Sequence, residues 1–204
     1  AGPLGRPIAL ASFALQADGW PDNSSALLLV NTFIHIFNAL LIGALGYLCV
    51  RVSSSCSVNQ AFVAAFGAAV LWAGLPLLAS TSLIAIQRMT GLSALFSLLG
   101  LVGFVWGYRL YSASPVRALV VQLFLLGAGT LLAMFSKENG ALTPLFALAI
   151  DILVRKETLK SPGHWAHNAR LAVLFLALAV FLVYLSPLMR NYFWVSEVRG
   201  YSVW

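Results

Sequence analysis

Long apolar runs separated by short polar breaks constrain this chain more than any other feature. Six runs are legible: Ala26–Val50, Ala61–Ile86, Gly91–Tyr108, Ala118–Phe135, Asn139–Val154 and Leu171–Met189. A hydrocarbon core is crossed by about 20 apolar residues of helix, and only a helix or a closed barrel satisfies its own backbone there. The chain is 61% hydrophobic and only 9% charged, whereas soluble domains carry about 25% charged residues. A soluble core has no room for so much apolar side chain. The expected fold is therefore all-α: a polytopic integral membrane protein with about six transmembrane helices over residues 25–190. Residues 1–24 read as part of an outer loop, and residues 191–204 as an outer loop or interfacial segment. The chain starts Ala1-Gly2-Pro3 without Met or signal peptide and ends without a polar tail, which reads as an internal piece of a longer protein.

The polar breaks give the topology. Pro3, Pro7, Gly19 and Pro21 mark the first 24 residues as a loop, with a short interfacial helix around Ile8–Leu15 and an N-cap at Asn23-Ser24-Ser25. Gly74 and Pro76 interrupt the second run. Six crossings put Arg51, Arg109, Arg117, Arg155, Lys156, Lys160 and Arg170 on one side, and Arg6, Arg88, Lys137, Arg190 and Arg199 on the other. The more basic side is cytoplasmic. The net charge of +6 then reports topology rather than nucleic-acid binding. The fifth run is short, about 16 residues or 24 Å against a core of about 30 Å, which recesses its outer end.

At that outer end lies Ser136-Lys137-Glu138-Asn139-Gly140, a lysine and a glutamate between two apolar runs. Charges at such a boundary are functional candidates. Lys137 either snorkels to headgroups or binds the phosphate of a lipid-linked substrate. Glu138 either favours a helix N-terminus or supports the site by holding Lys137 or orienting an acceptor. Arg88, beside Gln87, is either an interfacial anchor or a phosphate ligand. Asn31, His35 and Asn38 share one helical face at spacings of four and three; they either hydrogen-bond neighbouring helices or wall a polar cavity.

Other polar groups read as structural. Asp151 precedes Arg155 by four residues, the favourable helical pairing. His164 and His167 are solvated loop residues, and Cys49 and Cys56 form no disulfide framework. No Walker loop, Gly-x-Ser-x-Gly, His-Glu-x-x-His or CxxC is present, so those hydrolase, metalloprotease and redox motifs are excluded. No cofactor is indicated, and a divalent-metal requirement stays open.

Taken in order, Gly5-Arg6-Pro7 with Ala9–Gln16, Asn31…His35…Asn38, Ile86-Gln87-Arg88-Met89-Thr90, and Ser136–Gly140 with Pro144 resemble the bacterial membrane glycosyltransferases of the GT-C superfamily. The branch is the one that often carries C-terminal tetratricopeptide repeats and is related to protein O-mannosyltransferases. The resemblance covers almost the whole chain. It implies transfer of a sugar from a polyprenyl-phosphate donor to an acceptor protein or glycan on the periplasmic face of the bacterial inner membrane. The partners would be the lipid-linked sugar donor, membrane lipid and the acceptor, with no nucleic acid. It implies substrate-binding roles for Arg6, Asn31, His35, Asn38, Gln87, Arg88 and Lys137, and a supporting catalytic role for Glu138. The family's catalytic acid sits in the first outer loop and is expected upstream of Ala1; Asp18 and Asp22 match no motif. One departure stands out. Relatives often carry His-Pro in the second run where this chain has Leu75-Pro76. The rival classes are a transporter of a lipid-linked substrate and a non-catalytic assembly protein.

Overall fold

A computed structural model describes residues 6–17, 24–53, 56–158, 165, 168–176 and 179, with backbone alone for 155–158. Among the described residues all regular structure is helical. Helix α1 (Pro7–Ala14) opens with proline at its first position, where the missing N–H is no loss. Helix α2 (Ser24–Ser53) is 30 residues long. Helix α3 (Val58–Gly74) starts on a reciprocal capping box between Ser57 and Gln60. It is followed by the single turn α4 (Pro76–Ala79).

The α3–α4 junction bends by 59°. Pro76 has no N–H to give and its ring clashes with the carbonyl four residues back; it also forces Leu75 into extended backbone (φ −66°, ψ 117°). Two 3-10 turns, Ser80–Leu83 and Ala85–Gln87, then lead to α5 (Arg88–Trp106). Helix α6 (Pro115–Ser136) is capped by the Ser114 side chain, which accepts the Arg117 N–H. A 3-10 turn, Glu138–Leu142, joins it to α7 (Thr143–Thr158), and residues 168–176 are again helical.

Among the described residues, three helical stretches are long and apolar enough to cross a membrane: Ser24–Ser53, Ala85–Leu110 and Pro115–Ser136. A fourth is reached if the bent pair Val58–Gly74 and Pro76–Leu83 forms one crossing. Of the six expected spans, the described residues thus show three or four. The fifth run forms α7, only 16 residues long and about 24 Å, because the turn at Glu138–Leu142 takes its first residues. Most of the sixth run, residues 191–204, Asp18, Asp22, His164, His167, Arg190 and Arg199 lie outside the described residues.

Helices α5 and α6 make the most extensive contact. Gly100 and Gly129 face each other so closely that a Cβ on Gly129 would lie 2.6 Å from the Gly100 Cα and 2.8 Å from the Phe96 carbonyl oxygen. Small residues let two backbones approach in this way. Helix α2 packs on α3, α5 and α7. Polarity is inverted relative to a water-soluble bundle. Phe33, Phe37, Phe62, Phe66, Phe124 and Leu153 lie on the outside, while Asn31, Arg88, Gln122, Asp151 and Arg170 are buried.

At the Tyr108 end of α5 the structure gives Asp151 partners beyond the expected one; the Arg155 side chain lies outside the described residues. Asp151 is 0% exposed. Its carboxylate lies 2.6 Å from Arg170 Nη2 and accepts the Tyr108 hydroxyl. Arg170, assigned by sequence to a polar loop, is 1% exposed. Its Nη1 donates to the Tyr111 hydroxyl at 2.7 Å and to Gln122 Oε1 at 2.9 Å, and the guanidinium lies 4.6 Å from the Tyr108 ring centre. The apolar neighbourhood, Phe104 and Val105 among it, explains why every charge here is paired.

Candidate functional site

The Ser136–Gly140 corner is fixed by its backbone. Ser136 ends α6 with its hydroxyl donating to the Leu132 carbonyl at 2.9 Å. Lys137 is extended, and its carbonyl accepts the Gly140 N–H at 2.9 Å. A Cβ on Gly140 would lie 2.3 Å from the Ala133 carbonyl carbon, so only glycine fits against the end of α6. Thr143 ties the turn to α5: its hydroxyl donates to the Gly140 carbonyl and lies 2.7 Å from the Ser97 hydroxyl.

An extended residue followed by a tight turn sends consecutive side chains apart. Glu138 turns to Arg6 in a two-pronged pair, with Nε to Oε1 at 3.1 Å and Nη2 to Oε2 at 2.9 Å. Arg6 Nη1 also contacts Met89 Sδ at 3.3 Å. Burial pushes the Glu138 carboxyl up, but its own backbone N–H, Arg6 and Lys137 outweigh that and leave its pKa below the ordinary value. Arg6 is held with φ 50° and ψ 51°, the left-handed region, which costs about 1–2 kcal/mol for a residue with a Cβ. Lys137 turns the other way. Its Nζ donates to Thr90 Oγ1 at 2.7 Å, and Thr90 donates to Gln87 Oε1 at 2.8 Å.

Lys137 lies at one end of a cavity of about 500 Å³ between α2, α5 and α7, within the usual range of about 300–1,000 Å³ for ligand sites. Thr90, Ser93, Ser97 and Asn139 line it together with Leu45, Leu98, Leu101 and Ile150. From Thr90 to Leu101 the cavity follows about 16 Å of helix rise. It is therefore a slot lined almost wholly by apolar atoms, with the Lys137 cation beside Thr90 at one end. Sequence reading missed Thr90, Ser93 and Ser97 as site residues. Their spacing of three and seven on α5 puts them on one helical face, and that spacing is the signal that could have found them.

The other expected ligands are engaged by protein. Arg88 is 1% exposed. It donates to Asn31 Oδ1 at 2.9 Å, the Ser12 carbonyl at 3.0 Å and the Leu27 carbonyl at 2.9 Å, and lies 4.8 Å from the Phe13 ring centre. It thus ties α1, α2 and α5 together, a buried strut where an exposed anion ligand was expected. The Asn31 face serves the broken segment. Asn31 Nδ2 donates to the Ile84 carbonyl at 3.1 Å, His35 Nε2 lies 3.2 Å from the Ala73 carbonyl oxygen, and Asn38 Nδ2 donates to the Gly91 carbonyl at 3.1 Å. Ala73 lies in the last turn of α3, where carbonyls lack intrahelical partners; the Ile84 carbonyl also accepts the Gln87 N–H and Gly91 lies inside α5, so the face ties α2 to the broken segment and to the start of α5. Leu75 is 49% exposed at the bend.

Arg6, Gln87, Arg88, Lys137 and Glu138 therefore do meet at one end of the bundle, as the charge pattern implied, but they divide between a strut, an ion pair and the cavity mouth. Among the described residues no group of three or more His, Cys, Asp or Glu stands close enough to hold a metal ion. Comparison with protein-family models, curated proteins and solved structures finds no match to this chain.

Proposed function

We propose that this protein is a bacterial inner-membrane glycosyltransferase that takes a sugar from a polyprenyl-phosphate donor and passes it to an acceptor protein or glycan on the periplasmic face. In this reading the chain crosses the membrane six times, with α7 and residues 171–189 as the last two spans. The observation that carries the reading is the apolar cavity with Lys137 at one end. An amphiphile with an anionic head and a long apolar tail matches that arrangement. The inverted polarity of the bundle and the ordered sequence resemblance support it further.

Lys137 neutralises the donor phosphate, which is also the leaving group. Negative charge grows on that phosphate as the sugar departs, so a fixed cation lowers the barrier as well as the binding energy. Thr90 orients the ammonium, Gln87 orients Thr90, and Arg88 holds the segment that carries both. Glu138 supports the site by fixing Arg6 and the corner. A transporter of the same lipid needs polar lining through the full depth of its path, whereas this cavity is lined almost wholly by apolar atoms.

The test is incubation of the reconstituted protein with a labelled polyprenyl-phosphate hexose. Release of the carrier is expected, and Lys137→Ala is expected to reduce it at least about hundredfold with an unchanged melting temperature. Near-normal turnover in that variant would overturn the role of Lys137. Translocation without release would favour the transporter; neither would favour an assembly protein.

A further inference from the structure

A second, smaller cavity of about 70 Å³ adjoins the first, and Trp72, Thr90 and Ala94 line both. It lies between α2, the bent α3–α4 junction and the start of α5, with Asn38, His35 and Gln87 on its walls. Two polar atoms here are buried without a partner among the described residues: Asn38 Oδ1 and Trp72 Nε1. Asn38 is 3% exposed. Its Nδ2 donates to the Gly91 carbonyl, which sets the amide orientation, and its Oδ1 is the atom without a partner among the described residues. A buried amide oxygen or indole N–H is costly to leave without a hydrogen bond, so the pair marks a place where a partner belongs.

The chemistry of that partner follows from the two atoms. The indole nitrogen only donates and the amide oxygen only accepts. A single group that accepts from one and donates to the other is a hydroxyl. An anion cannot donate to Asn38, and a cation cannot accept from Trp72. The cavity is too small for a whole sugar ring but has room for one or two hydroxyl groups or waters. Its wall residue Thr90 is the one that bonds Lys137, so a hydroxyl lodged here belongs to a head group whose phosphate sits on Lys137.

We infer that this side cavity is a hydroxyl-recognition site, in which Trp72 Nε1 donates to and Asn38 Oδ1 accepts from a hydroxyl on the neutral, hydroxylated head group of the lipid phosphate. Trp72 and Asn38 are then the residues that distinguish a sugar-bearing lipid phosphate from the bare one. The inference rests on the reading of the larger cavity as a lipid-phosphate site.

The experiment compares binding of polyprenyl phosphate with that of polyprenyl-phosphate hexose to the detergent-solubilised protein. The wild type is expected to prefer the hexose form at least about tenfold, the worth of one good hydrogen bond. Trp72→Phe, which keeps an aromatic ring but removes the N–H, is expected to bring that ratio close to one. Lys137→Met is expected to weaken both lipids and leave the ratio intact. In the wild type labelled with 15N-tryptophan, the Trp72 indole resonance is expected to move with the hexose form and stay with the bare lipid. This second measurement needs no variant to fold. Equal binding of the two lipids by the wild type, an unchanged ratio in Trp72→Phe, or an indole resonance indifferent to the hexose overturns the hydroxyl site and means the cavity takes water only. Failure of both lipids to bind overturns the larger reading instead.

Discussion

The two ends of α5 carry charged clusters built on opposite principles. At the Tyr108 end, Asp151 and Arg170 are closed off and surrounded by aromatic rings, Gln122 and each other. At the Thr90 end, Lys137 is half-buried, and one of its three N–H groups goes to Thr90 while the cavity lies beside it. The closed cluster gains nothing from a ligand because each charge already has protein around it. The open one has a cation, hydroxyls and space. Burial with full pairing marks structure, and partial pairing beside a cavity marks function.

The largest expected effect falls on the closed end. Arg170→Met removes the cation that lies 2.6 Å from the buried Asp151 carboxylate, and breaking such a pair costs about 3–5 kcal/mol. A large drop in melting temperature in detergent is expected, with recovery in the double variant Arg170→Met, Asp151→Leu, since apolar replacement of a whole buried pair is often neutral or stabilising. If Arg170→Met melts like the wild type, the contrast between the two ends fails.

The next effect joins structure to site. Gly140→Ala puts a Cβ against the α6 backbone, and overpacking of this kind costs about 1–3 kcal/mol. Because the same turn positions Lys137, binding of polyprenyl phosphate is expected to fall along with stability. Lys137→Ala is expected to lose the former alone. Measuring both properties for both variants separates a displaced lysine from a missing one.

Much of this arrangement was legible in the residues. The apolar runs located α2, α3, α5 and α6; Pro76 marked a bend; and the alternation of spans gathered Arg6, Arg88, Lys137 and Glu138 at one end. Two things were hidden. Sequence ranks every cation near a helix end alike, so Arg88 and Lys137 looked equivalent. Only packing reveals that Arg88 faces Asn31 and two carbonyls while Lys137 faces a cavity. The ion pair of Asp151 with Arg170 was also hidden, because Arg170 reaches it only through the fold. The polar face of α2 was visible, but its task depended on where the bend at Pro76 and the turns after it placed backbone carbonyls.

The smallest effect lies in the pair that turns away from the cavity. Arg6 and Glu138 have side chains 33% and 34% exposed, so solvent screens them and the pair is worth about 0.2–1 kcal/mol. The Glu138 pKa lies below its ordinary value of 4.5. Its contribution is therefore complete above that value and disappears as pH falls through the lower folded-state pKa. The melting temperature of the wild type is expected to exceed that of Glu138→Gln slightly at neutral pH, and the two curves should meet under acid conditions. A gap that persists in acid would assign the difference to packing. Arg6 adds a second check through its left-handed backbone. Arg6→Ala loses the ion pair and keeps the strain, whereas Arg6→Gly loses the pair but relieves the strain. Glycine is thus expected to melt above alanine at this position, which reverses their usual order within a chain. The reversal would show that the left-handed backbone at this position is strained for any residue with a Cβ.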